Sequence, residues 1–197
     1  MSDTRTLLIR STRAHLDERG LDGLTLRQIA RDVDVSHGAP LRHFTGIAAM
    51  LSAVAAELFD ELVATVSRHV EAAGPQATAQ LRAAGVAYVD FAVANPGSYE
   101  LLFRPERLDV TDAEYLRASA ASFDQLTRLT AAAQASGWRA DVDPAELTGV
   151  LWAGVHGIAS LWIQGSLPIA TGVDDRRRFL SVFQVDLAGL PAQEEAA

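Results

Sequence analysis

Apolar residues recur every three or four positions along most of this 197-residue chain. This spacing places them on one face of an α-helix. No stretch shows the sustained apolar–polar alternation between glycine-containing turns that a half-buried β-strand would give. The sequence therefore predicts an all-α fold of about nine helices.

Start and stop residues divide the pattern into separate helices. Thr25 is predicted to cap a helix, with Gln28 completing a capping box. The pair Asp143-Pro144 predicts the start of another helix, and residues 165–173 are expected to form a loop. A first helix ends at Gly20, and the others are expected from Thr25, then over about 37–44, 47–70, 76–94, 98–103, 113–135 and 144–164, and from Asp174 onward.

Charge is unevenly distributed along the chain. The net charge is −8, which by itself argues against a nucleic-acid partner, and all 17 basic residues are arginines. Positions 1–45 contain seven of these arginines but only six acidic residues, and three histidines also occur there. Such an asymmetry between the two ends indicates a partner-binding N-terminal segment.

Several classes of protein are disfavoured by the sequence. It contains no cysteine, which excludes disulfides, a thiolate nucleophile and cysteine-based metal sites. No nucleophile-elbow or H-E-x-x-H motif occurs, so we expect no enzymatic activity, cofactor or metal. The uncharged stretch 147–163 is at the lower limit for a bilayer span and is interpreted as a buried or interface helix. With no secretory signal pattern at the N-terminus, a cytoplasmic protein without membrane contact is expected.

Two short predicted helices follow a supporting helix within the first 45 residues, as in a helix-turn-helix unit. The run TLRQIARDVDVSHGAPLRHF at 25–44 and the preceding ERGLDGLTL resemble the DNA-binding signature of TetR-type transcriptional regulators. The matching positions are Arg19-Gly20, Thr25, Ile29-Ala30, Val35-Ser36, Gly38 and His43-Phe44. The C-terminal part resembles one effector-domain type of this family through Asn95-Pro96-Gly97-x-Tyr99, Leu102-Phe103 and a W-x-x-x-H-G motif from Trp152.

This resemblance implies a ligand-responsive regulator, a repressor by family habit, that binds a palindromic operator as a homodimer. A small, largely hydrophobic effector would release it. The implied domains are a helix-turn-helix domain at 1–46 and a helical ligand-binding and dimerisation domain at 47–197. The DNA-contacting residues would be Thr25, Arg27, Gln28, Ser36, His37, Gly38, Ala39, Pro40, Arg42 and His43, and Phe44 would close the three-helix core.

Three positions in the signature differ from what the family pattern or a regular recognition helix would have. Leu41 replaces the usual tyrosine, a common phosphate contact, and Ile47 replaces the usual lysine. Pro40 removes a backbone donor and is expected to shift Ala39 away from helical geometry. Two interpretations stay open: phosphate contacts come from other arginines, namely Arg5, Arg10 or Arg27, or DNA binding is weak and the protein is a helical small-molecule-binding dimer.

The effector half is expected to enclose a pocket lined by interior aromatic residues and one histidine. His156 has two interpretations, as a core residue bonded to a carbonyl or hydroxyl group or as a ligand-binding or pH-sensing group. The pocket candidates are Phe59, Tyr88, Phe91, Tyr99, Phe103, Phe123, Trp152 and His156. The dimer-interface candidates are Leu161, Trp162, Phe179, Val182 and Phe183.

Overall fold

A computed structural model of the protein describes residues 4–187, with side chains through residue 181. Within these bounds the chain forms nine α-helices and no strand, which confirms the predicted all-α class. The helices are α1 (Thr4–Arg19), α2 (Leu26–Asp32), α3 (Ile47–Ala72), α4 (Ala77–Ala94), α5 (Pro96–Leu102), α6 (Ala113–Ala135), α7 (Pro144–Ile163), α8 (Ser166–Thr171) and α9 (Arg176–Leu187). Two short 3₁₀ turns span Pro40–Arg42 and Pro105–Arg107.

At the start of α2, the structure confirms Thr25 as the cap but not the predicted role of the Gln28 side chain. The Thr25 hydroxyl accepts a hydrogen bond from the Gln28 backbone N–H at 3.2 Å, which satisfies one free donor of the first turn. The Gln28 side chain turns the other way, donating to Asp32 at 2.7 Å and accepting from Arg31. The predicted reciprocal capping box is therefore wrong, because nearby charged partners on α2 hold the glutamine amide.

Helix α7 begins as the sequence predicts. The Asp143 carboxylate accepts hydrogen bonds from the backbone N–H groups of Ala145 at 2.9 Å and Glu146 at 3.1 Å. Pro144 occupies the first turn, where its missing N–H costs nothing. Both local signals therefore lie at the start of the helix, as the sequence predicts.

Two expectations about helices are corrected by the structure. Residues 166–171 form α8 where a loop was expected, between Gly165 and Gly172, which both adopt a positive φ near 70°. In α6, Phe123 is an expected interior residue, but it is 44% exposed, and Leu116, two helical turns before it, is 49% exposed. The fully buried positions of α6 are instead Ala118, Thr130 and Ala133, because small side chains allow the close approach of neighbouring elements.

The chain folds into two compact units. One contains residues up to 61 together with 95–122, and the other contains 62–94 together with the chain from 123 onward. The helix-turn-helix segment lies wholly within the first unit. The division passes through α3 rather than at residue 46, so the predicted functional boundary there stays a prediction.

In the first unit, α1 packs on the beginning of α3 and on α5. The Thr12 hydroxyl, fully buried, donates to the Leu8 carbonyl at 2.8 Å and approaches the Met50 sulfur at 3.5 Å. The Asp17 carboxylate accepts from the backbone N–H of Ser98 at 2.9 Å. These contacts connect the supporting helix of the helix-turn-helix to two neighbouring helices.

In the second unit, a cluster of buried side chains joins α4, α6 and α7. It comprises Leu81, Ala133, Trp138, Leu147 and Leu151, with Leu126 and Leu129 packed at its edge. No helix within residues 4–187 combines the length and apolar character that crossing a bilayer requires. Leu147 and Leu151 place part of the uncharged stretch of α7 in this cluster, in agreement with its interpretation as a buried or interface helix.

Candidate nucleic-acid interface and effector site

The segment expected to read DNA is a tight turn rather than an α-helix. The Ala39 N–H donates to the Ser36 carbonyl at 2.9 Å, and the Arg42 N–H donates to the Ala39 carbonyl at 3.1 Å. Both bonds span three residues, as in a 3₁₀ helix. The predicted α-helix over about 37–44 is therefore wrong in type, because Pro40 has no N–H with which to continue an α-helical ladder.

The start of this turn also differs from the prediction. Ala39 occupies the position before the turn with φ −61° and ψ −42°, within the helical region, and no side chain caps the turn. The expectation that Pro40 would shift Ala39 out of helical geometry is therefore wrong. The hydrogen bonds made by the Ala39 N–H and carbonyl hold it in place from both sides.

Most of the turn lies at the surface of the first unit. Pro40 is buried, so the prediction that it faces outward is wrong, and Ala39 is half-buried. Phe44 is 6% exposed, which confirms its predicted place in the core. The exposed residues of the segment are Ser36, His37, Gly38, Leu41, Arg42 and His43. We refer to residues 36–43 as the reading turn.

The arginines near the reading turn differ in what they contact. Arg5 pairs with Glu114 at 3.0 Å, and its guanidinium lies 5.7 Å from the centre of the Phe44 ring. Arg10, Arg27 and Arg42 are exposed and form no ion pair with any residue that the structure describes. Three arginines are the alternative phosphate contacts. Among the described residues, Arg10 and Arg27 have no ion-pair partner that would compete with a phosphate, whereas Arg5 is paired with Glu114.

The aromatic residues expected to line one pocket divide between the two units. Phe59, Tyr99 and Phe103 belong to the first unit, where the Tyr99 and Phe103 rings lie 5.1 Å apart. Tyr88, Phe91, Phe123, Trp152 and His156 belong to the second unit. Phe91 is buried in its core.

Four residues of the second unit are brought together by α4, α6 and α7. The rings of Phe123 and Trp152 meet edge to face at 5.9 Å, and Trp152 lies 6.1 Å from His156, one helical turn further along α7. The Tyr88 hydroxyl is 3.3 Å from Nδ1 of His156. We call Tyr88, Phe123, Trp152 and His156 the aromatic cluster. Trp152 is 40% exposed, so the expectation of interior rings fails for Trp152 as it does for Phe123.

His156 has a hydroxyl group beside each ring nitrogen. Tyr88 lies beside Nδ1, and the Ser160 hydroxyl is 3.4 Å from Nε2. Partial burial lowers the pKa of His156, because a charged imidazolium would lose hydration there. The interpretation of His156 as a histidine satisfied by hydroxyl groups agrees with this geometry, and the neutral ring can both donate and accept a hydrogen bond.

The dimer-interface candidates lie on α7 and α9. Leu161 is 43% exposed, and the half-buried Trp162 and Phe179 meet edge to face at 6.2 Å. The side chains of Val182 and Phe183 lie outside the described residues. Two further apolar residues lie exposed nearby and are not among the sequence-based candidates: Val150, 64% exposed on α7, and Ile169, 86% exposed on α8. Ile169 falls within the loop expected over 165–173, so the sequence gives no helical face on which to place it.

Two sequence families match the chain over the regions just described. Residues 8–54, which contain α1, α2 and the reading turn, match the family described as "Bacterial regulatory proteins, tetR family". Residues 81–182 match "Tetracyclin repressor-like, C-terminal domain". The chain thus belongs to the TetR family of bacterial regulatory proteins, whose N-terminal part holds the helix-turn-helix.

Individual relatives agree with this family. The uncharacterized HTH-type transcriptional regulator YobS of Bacillus subtilis is 29% identical over 101 residues, which are 49% of this chain and 50% of that protein. The chain thus spans about half the length of this curated relative. A solved structure of a Rhodococcus protein of unknown function is 31% identical with a TM-score of 0.84, over 95% of this chain and 94% of the other. The fatty acid degradation regulator FadR of Bacillus halodurans shares the fold, with a TM-score of 0.75 at 11% identity over 98% of each chain.

Proposed function

We propose that this protein is a ligand-responsive transcriptional repressor that binds a palindromic operator as a homodimer and is released by a small, largely hydrophobic effector. The observation that carries the proposal is the reading turn itself, whose polar side chains point outward beside uncommitted arginines in an otherwise acidic chain. Its location in the cytoplasm would follow from this role.

The contacts with DNA would come from α2 and the reading turn. Arg27 and Arg42 are exposed and unpaired among the described residues, so they can approach phosphates without first breaking an ion pair. Arg42 could instead bind a guanine edge with two hydrogen bonds. His37 and His43 are also exposed and would add polar contacts within the groove.

Dimerisation would cover an apolar surface that one chain leaves exposed. Val150, Leu161 and Ile169 are between 43% and 86% exposed on α7 and α8. Large exposed apolar side chains grouped on neighbouring elements mark interaction surfaces. A second copy is the natural occupant, since a two-fold dimer places the same surface of both chains together and matches a palindromic operator.

The effector would bind at the aromatic cluster. Its rings offer apolar contact area, and the neutral His156 with the Tyr88 hydroxyl offers hydrogen bonds that fix orientation. Trp152 and His156 are the first and fifth residues of the W-x-x-x-H-G motif, which places both on α7. Binding there would favour a conformation in which α3 moves and the two reading turns no longer fit successive major grooves, which is a coupling between two sites.

A mobility-shift titration tests the proposal. The DNA upstream of the gene and a pool of random duplexes are incubated with the purified chain across a range of salt concentrations. We expect a specific shift whose affinity falls steeply with salt, because phosphate contacts release counterions. Arg42→Gln should lower the affinity about tenfold. Arg128→Gln, an exposed arginine on α6, is the matched control and should leave it unchanged.

A second candidate function is a dimeric small-molecule binder with weak DNA binding. It is favoured by the 3₁₀ form of the reading turn and the burial of Pro40, which leave fewer side chains for a groove than an α-helix would. The same titration separates the two functions. A shift absent even at low salt, with the chain folded by circular dichroism, would reject the repressor and leave the binder.

A further inference from the structure

Leu41 is the large apolar side chain at the centre of the reading turn, and it is 61% exposed. On one side of it Pro40 is buried, and three residues further on Phe44 is 6% exposed. Its backbone is fixed on both sides, because the Arg42 N–H donates to the Ala39 carbonyl and the Phe44 N–H donates to the Pro40 carbonyl at 2.9 Å. The leucine is therefore held outward by a turn that is anchored in the core.

The chemistry of leucine restricts what it can contact on DNA. Its side chain has no hydrogen-bond donor or acceptor, so it cannot bind a phosphate or the polar edge of a base. In the major groove, the one apolar group that distinguishes a base pair is the 5-methyl group of thymine. Removing that methyl group and the leucine tip from water together is favourable.

We propose that Leu41 contacts the 5-methyl group of a thymine and is a specificity-determining residue of the operator half-site. This inference rests on the proposed DNA-binding function. Arg42, exposed directly beside it, would bind a phosphate or a guanine next to that thymine. The pair would thus combine a polar contact and an apolar contact at neighbouring positions of one half-site.

The experiment uses the wild-type chain and an operator selected with it from random duplexes. Each thymine of one half-site is replaced in turn by deoxyuridine, which lacks only the 5-methyl group, and the dissociation constant is measured by fluorescence anisotropy. We expect the substitution at one position to raise the dissociation constant about fourfold, which corresponds to the loss of one buried methyl-sized group. The other thymines should change the affinity little.

Variants then assign the effect to the side chain. Leu41→Ala should bind the thymine operator more weakly and should no longer distinguish thymine from deoxyuridine at the critical position. Leu41→Met, which keeps an apolar tip, should retain part of the distinction. Leu116→Ala removes a leucine of comparable exposure on α6, 49%, and should keep both the affinity and the distinction. Thermal melting of each variant checks that it folds.

Three outcomes would overturn the inference. Equal affinity for thymine and deoxyuridine at every position in the wild type would show that no methyl group is read. An unchanged distinction in Leu41→Ala would assign the methyl contact to another residue. Failure of the wild type to select any sequence at low salt would reject the DNA-binding function itself, and the role of Leu41 with it. The first two outcomes leave that function intact.

Discussion

Gly97 approaches Leu16 so closely that a Cβ atom at position 97 would lie 2.0 Å from the Leu16 carbonyl oxygen. This contact joins the start of α5 to the last turn of α1. It sits beside the hydrogen bond from Ser98 to Asp17, and together they place α5 directly on the supporting helix of the helix-turn-helix. The N-P-G sequence before Ser98 thus has a packing reason for its glycine.

The first prediction concerns this contact. Gly97→Ala should lower the free energy of unfolding by an amount near the upper end of about 1–3 kcal/mol. The added methyl group meets backbone atoms, and these can relax only if a helix moves. Chemical denaturation followed by circular dichroism measures it. In Gly149→Ala, the matched control within α7, the new Cβ meets nothing within 4 Å. That variant should be stabilised by about 0.5–1 kcal/mol, and equal effects of the two substitutions would contradict the packing argument.

The second prediction concerns the cap of α7. Asp143→Ala removes the carboxylate that accepts two backbone hydrogen bonds and should cost about 1 kcal/mol of stability. Asp143→Asn should recover most of it, since an amide oxygen can accept the same bonds. Urea denaturation midpoints of the three chains provide the test. A loss in the asparagine variant as large as in the alanine variant would mean that the charge, rather than the cap, matters.

The third prediction concerns Ile47, the first residue of α3. Ile47→Lys should tighten binding to the operator and steepen its salt dependence, because the resemblance to the family places a phosphate-contacting lysine there. One added phosphate contact in each protomer gives two in the dimer, which steepens the slope of log affinity against log salt by about 1.8. Anisotropy titrations at several salt concentrations measure the slope. Ile47→Met is the uncharged control. An unchanged slope in the lysine variant would show that a lysine at position 47 does not contact a phosphate.

The fourth prediction concerns pH. Burial lowers the folded-state pKa of His156 below its ordinary value of 6.5, so the unfolded chain binds more protons than the folded chain between the two values. The neutral His156 therefore makes its full contribution to the free energy of unfolding above pH 6.5. That contribution is lost as the pH falls from 6.5 through the folded-state pKa. His156→Gln should weaken the fall in melting temperature between pH 7 and pH 5. His37→Gln, at an exposed position, is the control, and a pH profile identical to wild type in His156→Gln would refute the argument.

Features encoded by local chemistry were predictable from the sequence. Thr25 and Asp143 cap their helices because a short oxygen-bearing side chain satisfies free N–H groups wherever a helix begins. Helix α8 lies within the expected loop over 165–173, where Gly165 and Gly172, both with positive φ, bound a single helical stretch. Phe123 of α6 is more exposed than expected, because side-chain size alone does not show which residues a neighbouring helix will cover.

The candidate sites were predictable to a smaller extent. The resemblance to the TetR signature implied outward positions for His37 and Arg42 and a core position for Phe44, and the structure agrees with all three. The burial of Pro40 was not predictable from the sequence. It depends on the hydrogen bonds that neighbouring residues make around the bend at this proline. The division of the pocket candidates between two units was also beyond the sequence, because it depends on how distant helices meet.

The short length of the 3₁₀ turn limits how much of an operator one chain can examine. Three residues at about 2.0 Å of rise each extend about 6 Å, roughly two base pairs of a duplex that rises 3.4 Å per pair. For a repressor whose base contacts come mainly from this turn and from His37 and His43 beside it, each half-site then carries limited sequence information. The distance between the two half-sites, fixed by the dimer, becomes the stricter requirement, so such a regulator would tolerate substitutions in an operator far better than the insertion of one base pair at its centre.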